Sequence, residues 1–281
     1  MGKMSLERQA LERIGKNWSK ASETREKLLN NVSQFTRFIE NRYHLERIEN
    51  LKPGMITAYA ADMAVQGLSA STMANRMTAV RQICGAIGKQ GICSKENFAY
   101  GIERVRVNPQ SVNVGKLEEI RSVLAERAAC GNRVAQMMVA ADSLRCNFGL
   151  RAKESLLTTK VIEQDGKPFL KVEGAKGGRV RLLPVDSPIK EAAVKLVQET
   201  AIQLGSGTGR IIPPEMSLKA AYDAQRNLWR ALGGTKASSA NIHGERHLHA
   251  REMHADGATR KEIMVDLGHG ESRSPAAYGV T

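Results

Sequence analysis

Six side chains in this sequence are of types that, brought together, can handle a phosphate diester. His243 and Arg246 stand three apart and so share a face if the stretch is helical. Leu-Gly-His follows at 267–269, and Tyr278 comes nine residues after His269. Upstream lie Arg151, directly after Gly-Leu, and Lys176, set among Gly174, Gly177 and Gly178. Arginine grips anionic oxygens bidentately, histidine exchanges a proton near neutral pH, and lysine can protonate a departing oxygen. A tyrosine hydroxyl, with a pKa of about 10, becomes a nucleophile once its proton is drawn off. Each residue alone is weak evidence: an arginine after Gly-Leu is more often structural, a hairpin lysine is usually just solvated, and a tyrosine near a terminus ordinarily frays. The order Arg, Lys, His-x-x-Arg, Gly-His, Tyr is much harder to reach by accident.

The bulk numbers fit a polyanionic partner. Lys and Arg total 42 against 29 Asp and Glu, a net charge of +13 over 281 residues. A mixed-charge chain this basic usually meets nucleic acid, the bland alternative being a solvated basic surface. Aromatics are only 4%, which argues against a stacking platform for single strands and for a duplex held by its phosphates. The four cysteines form no C-x-x-C pair, so spacing indicates neither zinc nor a disulfide scaffold. No metal and no cofactor is expected. Without an apolar span or a signal peptide, a cytoplasmic, nucleoid-associated protein with no membrane partner is the default.

The elements that must position these residues read as mainly α with a small antiparallel β-sheet (α+β). Residues 5–110 read as nearly all helical. Ser22–Tyr43 places Leu28, Leu29, Val32, Phe35, Phe38 and Ile39 on one face. After Leu51-Lys-Pro-Gly comes a helix to Gly67. Ser69 then caps another, with Met73, Met77, Val80, Cys84 and Ile87 as its stripe. Its other face carries Arg76 and Arg81, for which a solvated face and a DNA-contacting face stand level. The polar, proline-interrupted run RVNPQSVNVGK reads as a linker, dividing the chain into 1–106, a linker 107–116, and 117–281. Helices are expected at 116–129 and 132–147. Three strands follow near 161–164, 169–173 and 180–185, with Asp165-Gly166 as one hairpin turn and Gly174–Gly178 as the next. Helices resume at 188–204, 218–232, 241–255 and from Thr259 to Gly268.

Gly-Leu-Arg151-Ala-Lys-Glu154, His243-x-x-Arg246-His247, Gly-His269 and Tyr278 resemble the signature of the tyrosine recombinases (phage-integrase family). The run GLSASTMANRMTAVRQI resembles the last helices of that family's core-binding domain. The resemblance spans about residues 20–281 and implies a helical core-binding domain joined to a catalytic domain. It implies a site-specific recombinase that cleaves and rejoins duplex DNA through a 3′-phosphotyrosine and a Holliday junction, serving integration, excision or resolution of a mobile element. Arg151 and Arg246 would clamp the phosphate, His243 would assist proton removal, and His269 would donate a hydrogen bond to the phosphate. Lys176 would protonate the leaving 5′ oxygen, and Tyr278 would be the nucleophile. Glu154 would support Arg151 rather than react. Neither metal nor nucleotide triphosphate is implied, because arginines supply the charge and a tyrosyl phosphodiester stores the bond energy. The implied partners are a specific double-stranded site, a homo-tetramer on DNA, and accessory DNA-bending proteins.

Two positions depart from the family pattern: Glu245, where an apolar residue is usual before the second arginine, and Phe148, where threonine is frequent. Glu245 is expected to pair with a base or face solvent, and Phe148 to be a packing change. Only Gly279, Val280 and Thr281 follow Tyr278, too few for a docking helix. The expectation is a mobile terminal tyrosine and a free monomer that tetramerises only on paired DNA. Three rivals stand beside this reading. A metallohydrolase would use His243 and His247 with His249 and His254, but its glutamate falls at the wrong position. A non-catalytic DNA binder has no need of Lys176 or Tyr278. A type IB topoisomerase shares the chemistry and differs only in partner-site assembly.

Overall fold

The structure, a computed structural model, describes residues 4–15, 22–105, 111–173, 180–205, 207 and 209–269. The chain divides into two compact units, residues 1–106 and 107–281. No helix among the described residues is long and apolar enough to cross a membrane.

The first unit is all helical: α1 (Leu6–Ile14), α2 (Ser22–Tyr43), α3 (Pro53–Val65) and α4 (Ala70–Ala86), with short 3-10 turns between and after them. Proline opens α3, where its missing N–H costs nothing. Ser69 opens α4 by accepting from the Thr72 N–H at 3.2 Å. Gly88, at φ 73, ends α4 and lets Lys89 N–H reach back to Cys84 O at 2.8 Å. Val32, Phe35 and Ile39 of α2 pack with Ile56, Met63, Met77, Val80 and Ile83 in one core. Arg81 is spoken for: its Nε donates to Ser94 O and an Nη to Asn97 Oδ1, both at 2.8 Å, pinning the loop after α4. Arg76 is half-buried near Tyr59.

The second unit holds α5 (Val114–Ala129), α6 (Arg133–Phe148), α7 (Ala152–Leu157), β1 (Val161–Gln164), β2 (Lys167–Val172), β3 (Arg181–Pro184), α8 (Pro188–Gln203), α9 (Leu218–Ala231), α10 (Gly244–Ala255) and α11 (Arg260–Asp266). Helix α5 begins earlier than the sequence suggested. Asn113 caps it by accepting from Lys116 N–H at 3.0 Å, and Asn113 N–H donates to Ser239 O at 2.9 Å. The stretch from 111 to 116, expected as linker, therefore belongs to this unit. Helix α6 buries nine of its sixteen residues, more than one face can supply, so it is the central helix against which α5, α7, α8, α9 and α10 pack. The strands form an antiparallel meander in the order β1-β2-β3. Asp165 and Gly166 both take positive φ, 52° and 71°, as a two-residue hairpin turn requires. The second turn, 174–179, lies outside the described residues.

Candidate active site

The site grows from three chain ends that meet. Helix α6 ends at Gly149 in the left-handed region, φ 58. A side chain there would put its Cβ 2.5 Å from His249 Cδ2 and 2.8 Å from Leu267 Cδ2, so only glycine lets the turn approach α10 and α11 this closely. The turn delivers Arg151 to the start of α7. Helix α11, opened by the reciprocal Thr259–Glu262 cap, ends at Gly268, φ 60, and turns the chain into His269. Helix α10 brings His243 at its N-cap position and Arg246 one turn in.

Both arginines converge on the Leu267–His269 turn. Arg246, 1% exposed, donates from Nη1 to Gly149 O at 2.5 Å and from Nη2 to Leu267 O and to His269 Nε2, the last at 3.0 Å. Because a guanidinium can only donate, Nε2 is the acceptor and the neutral ring carries its proton on Nδ1. Arg151 donates from Nη2 to Gly268 O at 3.3 Å and from Nη1 to Glu154 Oε1 at 2.6 Å. Its own N–H meets Glu154 Oε2 at 2.9 Å. Glu154 is fully buried, and Arg181 of β3 grips the same carboxylate at 2.9 and 3.2 Å. Burial pushes the Glu154 pKa up, but the hydrogen bonds and charge of Arg181 and then Arg151 outweigh it and hold the group at about 2.

The histidines are held neutral. His243 has a face open to solvent, while its ring stands edge-on to His247 at 5.1 Å. Lost hydration on the packed side, then the charges of His247, Arg246, Arg151 and His269, bring its pKa down to about 3. Burial first, then Arg246 and Arg151, lowers His269 to about 4. An uncharged imidazole beside two guanidiniums is a proton acceptor at neutral pH. A phosphate arriving among these cations would raise its affinity for a proton.

Arg151, Glu154, His243, Arg246 and His269 are thus gathered in one place. Lys176 and Tyr278 lie outside the described residues. The reading missed Arg181, although a signal was there: strand alternation puts it on the same buried face as Leu183. It also missed His249, whose Nε2 meets Asp266 Oδ1 at 2.9 Å and ties α10 to α11.

Glu245 does not face solvent. It is 2% exposed and meets Arg121 Nη2 at 2.5 Å. Phe148 is a packing change, buried at 1% with Lys190 Nζ over its ring at 5.6 Å. Among the described residues, the histidines of α10 join no metal-ligating group; the grouping that does occur is Asp142, Cys146 and Glu245.

Known proteins resemble this chain in sequence and fold. The family model for the phage integrase N-terminal region matches residues 1–93. Tyrosine recombinase XerD of Brucella abortus biovar 1 (strain 9-941) is 26% identical over 230 residues, covering 77% of this chain and 74% of the relative. XerD of Caulobacter vibrioides is 25% identical over 236 residues, covering 79% and 75%. Among solved structures, a lambda integrase tetramer bound to a Holliday junction superposes with a TM-score of 0.68 at 16% identity, over 96% of this chain and 76% of that one. The XerH site-specific recombinase bound to its difH substrate superposes at 0.63 and 16% identity, over 99% and 94%. Relatives along three quarters of its length, an integrase-type N-terminal region and a shared fold together support a tyrosine recombinase, a site-specific DNA recombinase of the phage-integrase kind.

Proposed function

We propose that this recombinase cleaves and rejoins duplex DNA through a 3′-phosphotyrosine formed by Tyr278, and that pairs of such exchanges pass through a Holliday junction. The observation that carries the reading is the convergence of Arg151, Arg246, His243 and His269 on the Leu267–His269 turn. The scissile phosphate lies between the two guanidiniums, which bind its non-bridging oxygens as charge develops. His243, neutral beforehand, accepts the Tyr278 proton as the phenolic oxygen attacks phosphorus. Lys176 gives a proton to the departing 5′ oxygen, and the old P–O bond is replaced by a new phosphodiester of similar energy. A 5′-hydroxyl from the partner strand then attacks the phosphotyrosine and regenerates the enzyme. When phosphate enters, Arg246 turns its Nη2 from His269 toward the anion, and the released His269 Nε2, once it takes up a proton, donates to it.

Residues 1–106 serve as the core-binding module and 117–281, with the α5 cap, as the catalytic domain. Arg76 is the better phosphate contact of the two α4 arginines, since Arg81 holds its own loop. The assembly on paired sites is a tetramer, supported by the lambda integrase tetramer that this fold resembles. A nicked suicide substrate tests the reading: wild type should accumulate a covalent protein–DNA adduct and Tyr278→Phe none. An undiminished adduct in the mutant would show that another nucleophile does the work.

A further inference from the structure

A cavity of about 620 Å3 opens between α5, α6, α8 and α10. Asp142 and Cys146 of α6 and Glu245 of α10 stand together in its wall. Cys146 Sγ lies 3.3 Å from Glu245 Oε2 and 3.7 Å from Asp142 Oδ2. In a tetrahedral zinc site with metal–sulfur and metal–oxygen bonds of usual length, sulfur and oxygen ligands stand about 3.5 Å apart. Both sulfur–oxygen separations are therefore close to ligand spacing, and all three ligand atoms lie within 4.8 Å of one another. The place a metal would take among them is held by a cation: Arg121 brings Nη2 to 2.8 Å from Sγ and 2.5 Å from Glu245 Oε2, and Nε to 3.0 Å from Asp142 Oδ2.

Two further facts point to a ligand. Glu245 is 2% exposed, and its Oε1 has no hydrogen-bond partner among the described residues, a costly state for a buried carboxylate oxygen. A metal ion can engage that oxygen where the planar guanidinium does not. Asp142 Oδ1 is meanwhile fixed by Arg145 at 2.7 Å, which leaves Oδ2 aimed at the site, as an outer partner does for a metal ligand. Arg121 is the least enclosed member, with its side chain 35% exposed, and the cavity beside it gives room to swing out.

We infer that Asp142, Cys146 and Glu245 bind one thiophilic divalent cation of the zinc class, with Arg121 as the internal cation that it displaces. On binding, Cys146 loses its proton to solvent and becomes the thiolate ligand, so one proton is released per ion. The sulfur excludes a preference for magnesium or calcium, which take oxygen ligands. The ligands lie at positions 142, 146 and 245, a spread no spacing motif contains, so no zinc signature is legible along the chain.

The test is a Cd2+ titration of the metal-free full-length protein, read by the thiolate-to-metal charge-transfer band, in a Cys130→Ser background that removes the exposed thiol. The band should saturate in that background and should lose its saturable component in Cys146→Ser, with circular dichroism unchanged. Arg121→Met should bind at least tenfold tighter, because the competing cation is gone, and a gain in affinity does not arise from misfolding. A band that survives Cys146→Ser overturns the site. Absence of binding in both the background protein and Arg121→Met, or no gain in Arg121→Met, overturns it too. No DNA enters this readout, so its failure is separate from a failure of the Tyr278 reading.

Discussion

Glu154, itself fully buried, accepts from Arg151 and Arg181 at once and from the Arg151 N–H as well. It sets where the Arg151 guanidinium points and neutralises a second cation that β3 buries. Glu154→Gln would leave Arg181 without its counter-charge, at a cost of about 3–5 kcal/mol. Urea unfolding should read that loss, and an unchanged midpoint would show that Arg181 finds another partner. The protonation states also predict a pH profile. His247, 3% exposed, is lowered to about 4 by burial and then by Arg251 and Arg246. A depressed pKa means that the unfolded chain takes up the proton first. The stability from a neutral His247 is fully present above the ordinary histidine value of about 6.5 and drains away as pH falls toward 4. Glu154, held at about 2, adds a second loss below the usual carboxylate range. Urea midpoints should therefore be level above about pH 7 and fall below about pH 6.5, and a midpoint constant down to pH 4.5 would contradict the neutral-histidine assignment.

At the scale of elements, the short turns matter more than the long helices. The Gly149 turn receives Arg246 on its carbonyl and sends Arg151 outward, so the two guanidiniums are spaced by one backbone bend. Gly149→Ala would add about 1–2 kcal/mol of left-handed strain, and its Cβ would strike His249 and Leu267. Cleavage should drop more steeply than DNA binding, since the clamp is displaced while the basic surface is untouched. Equal losses of both would show that the turn supports the fold and not the site. Arg121 acts between elements as well, joining α5 to α6 and to α10 beside Arg246. The Glu245 departure from the family pattern is thus compensated by a base in another helix.

At the scale of the whole molecule, the proposed DNA binding rests on charge and on both units. A net +13 with several phosphate contacts predicts an affinity that falls by about 10³–10⁵ between 50 and 200 mM salt if six to ten phosphates are neutralised. A nearly flat salt dependence would remove the reading of a duplex held by its phosphates. Both units should be needed for full affinity. The fragments to compare are 1–110 and 111–281, not one starting at 117, because Ser111 and Asn113 hydrogen-bond Ser239 and Asn113 caps α5. Full affinity from either fragment alone would show that one unit suffices.

The order Arg151, Lys176, His243, Arg246, His269, Tyr278 is written in the chain, and so is its resemblance to the tyrosine recombinases. Local signals also suffice for Ser22–Tyr43, the Ser69 cap and the Asp165-Gly166 turn, because caps, turns and helical periods act within a few residues. What the sequence left open is who meets whom across distance. Glu245 could have faced water or a base, and Arg81 could have faced DNA or its own loop. Arg181 read only as strand. Those outcomes rest on pairings 124 residues apart for Arg121 with Glu245 and 27 for Arg181 with Glu154. A charge finds such a partner only when the packed core brings the helices together and burial makes an unpaired carboxylate or guanidinium too costly to keep.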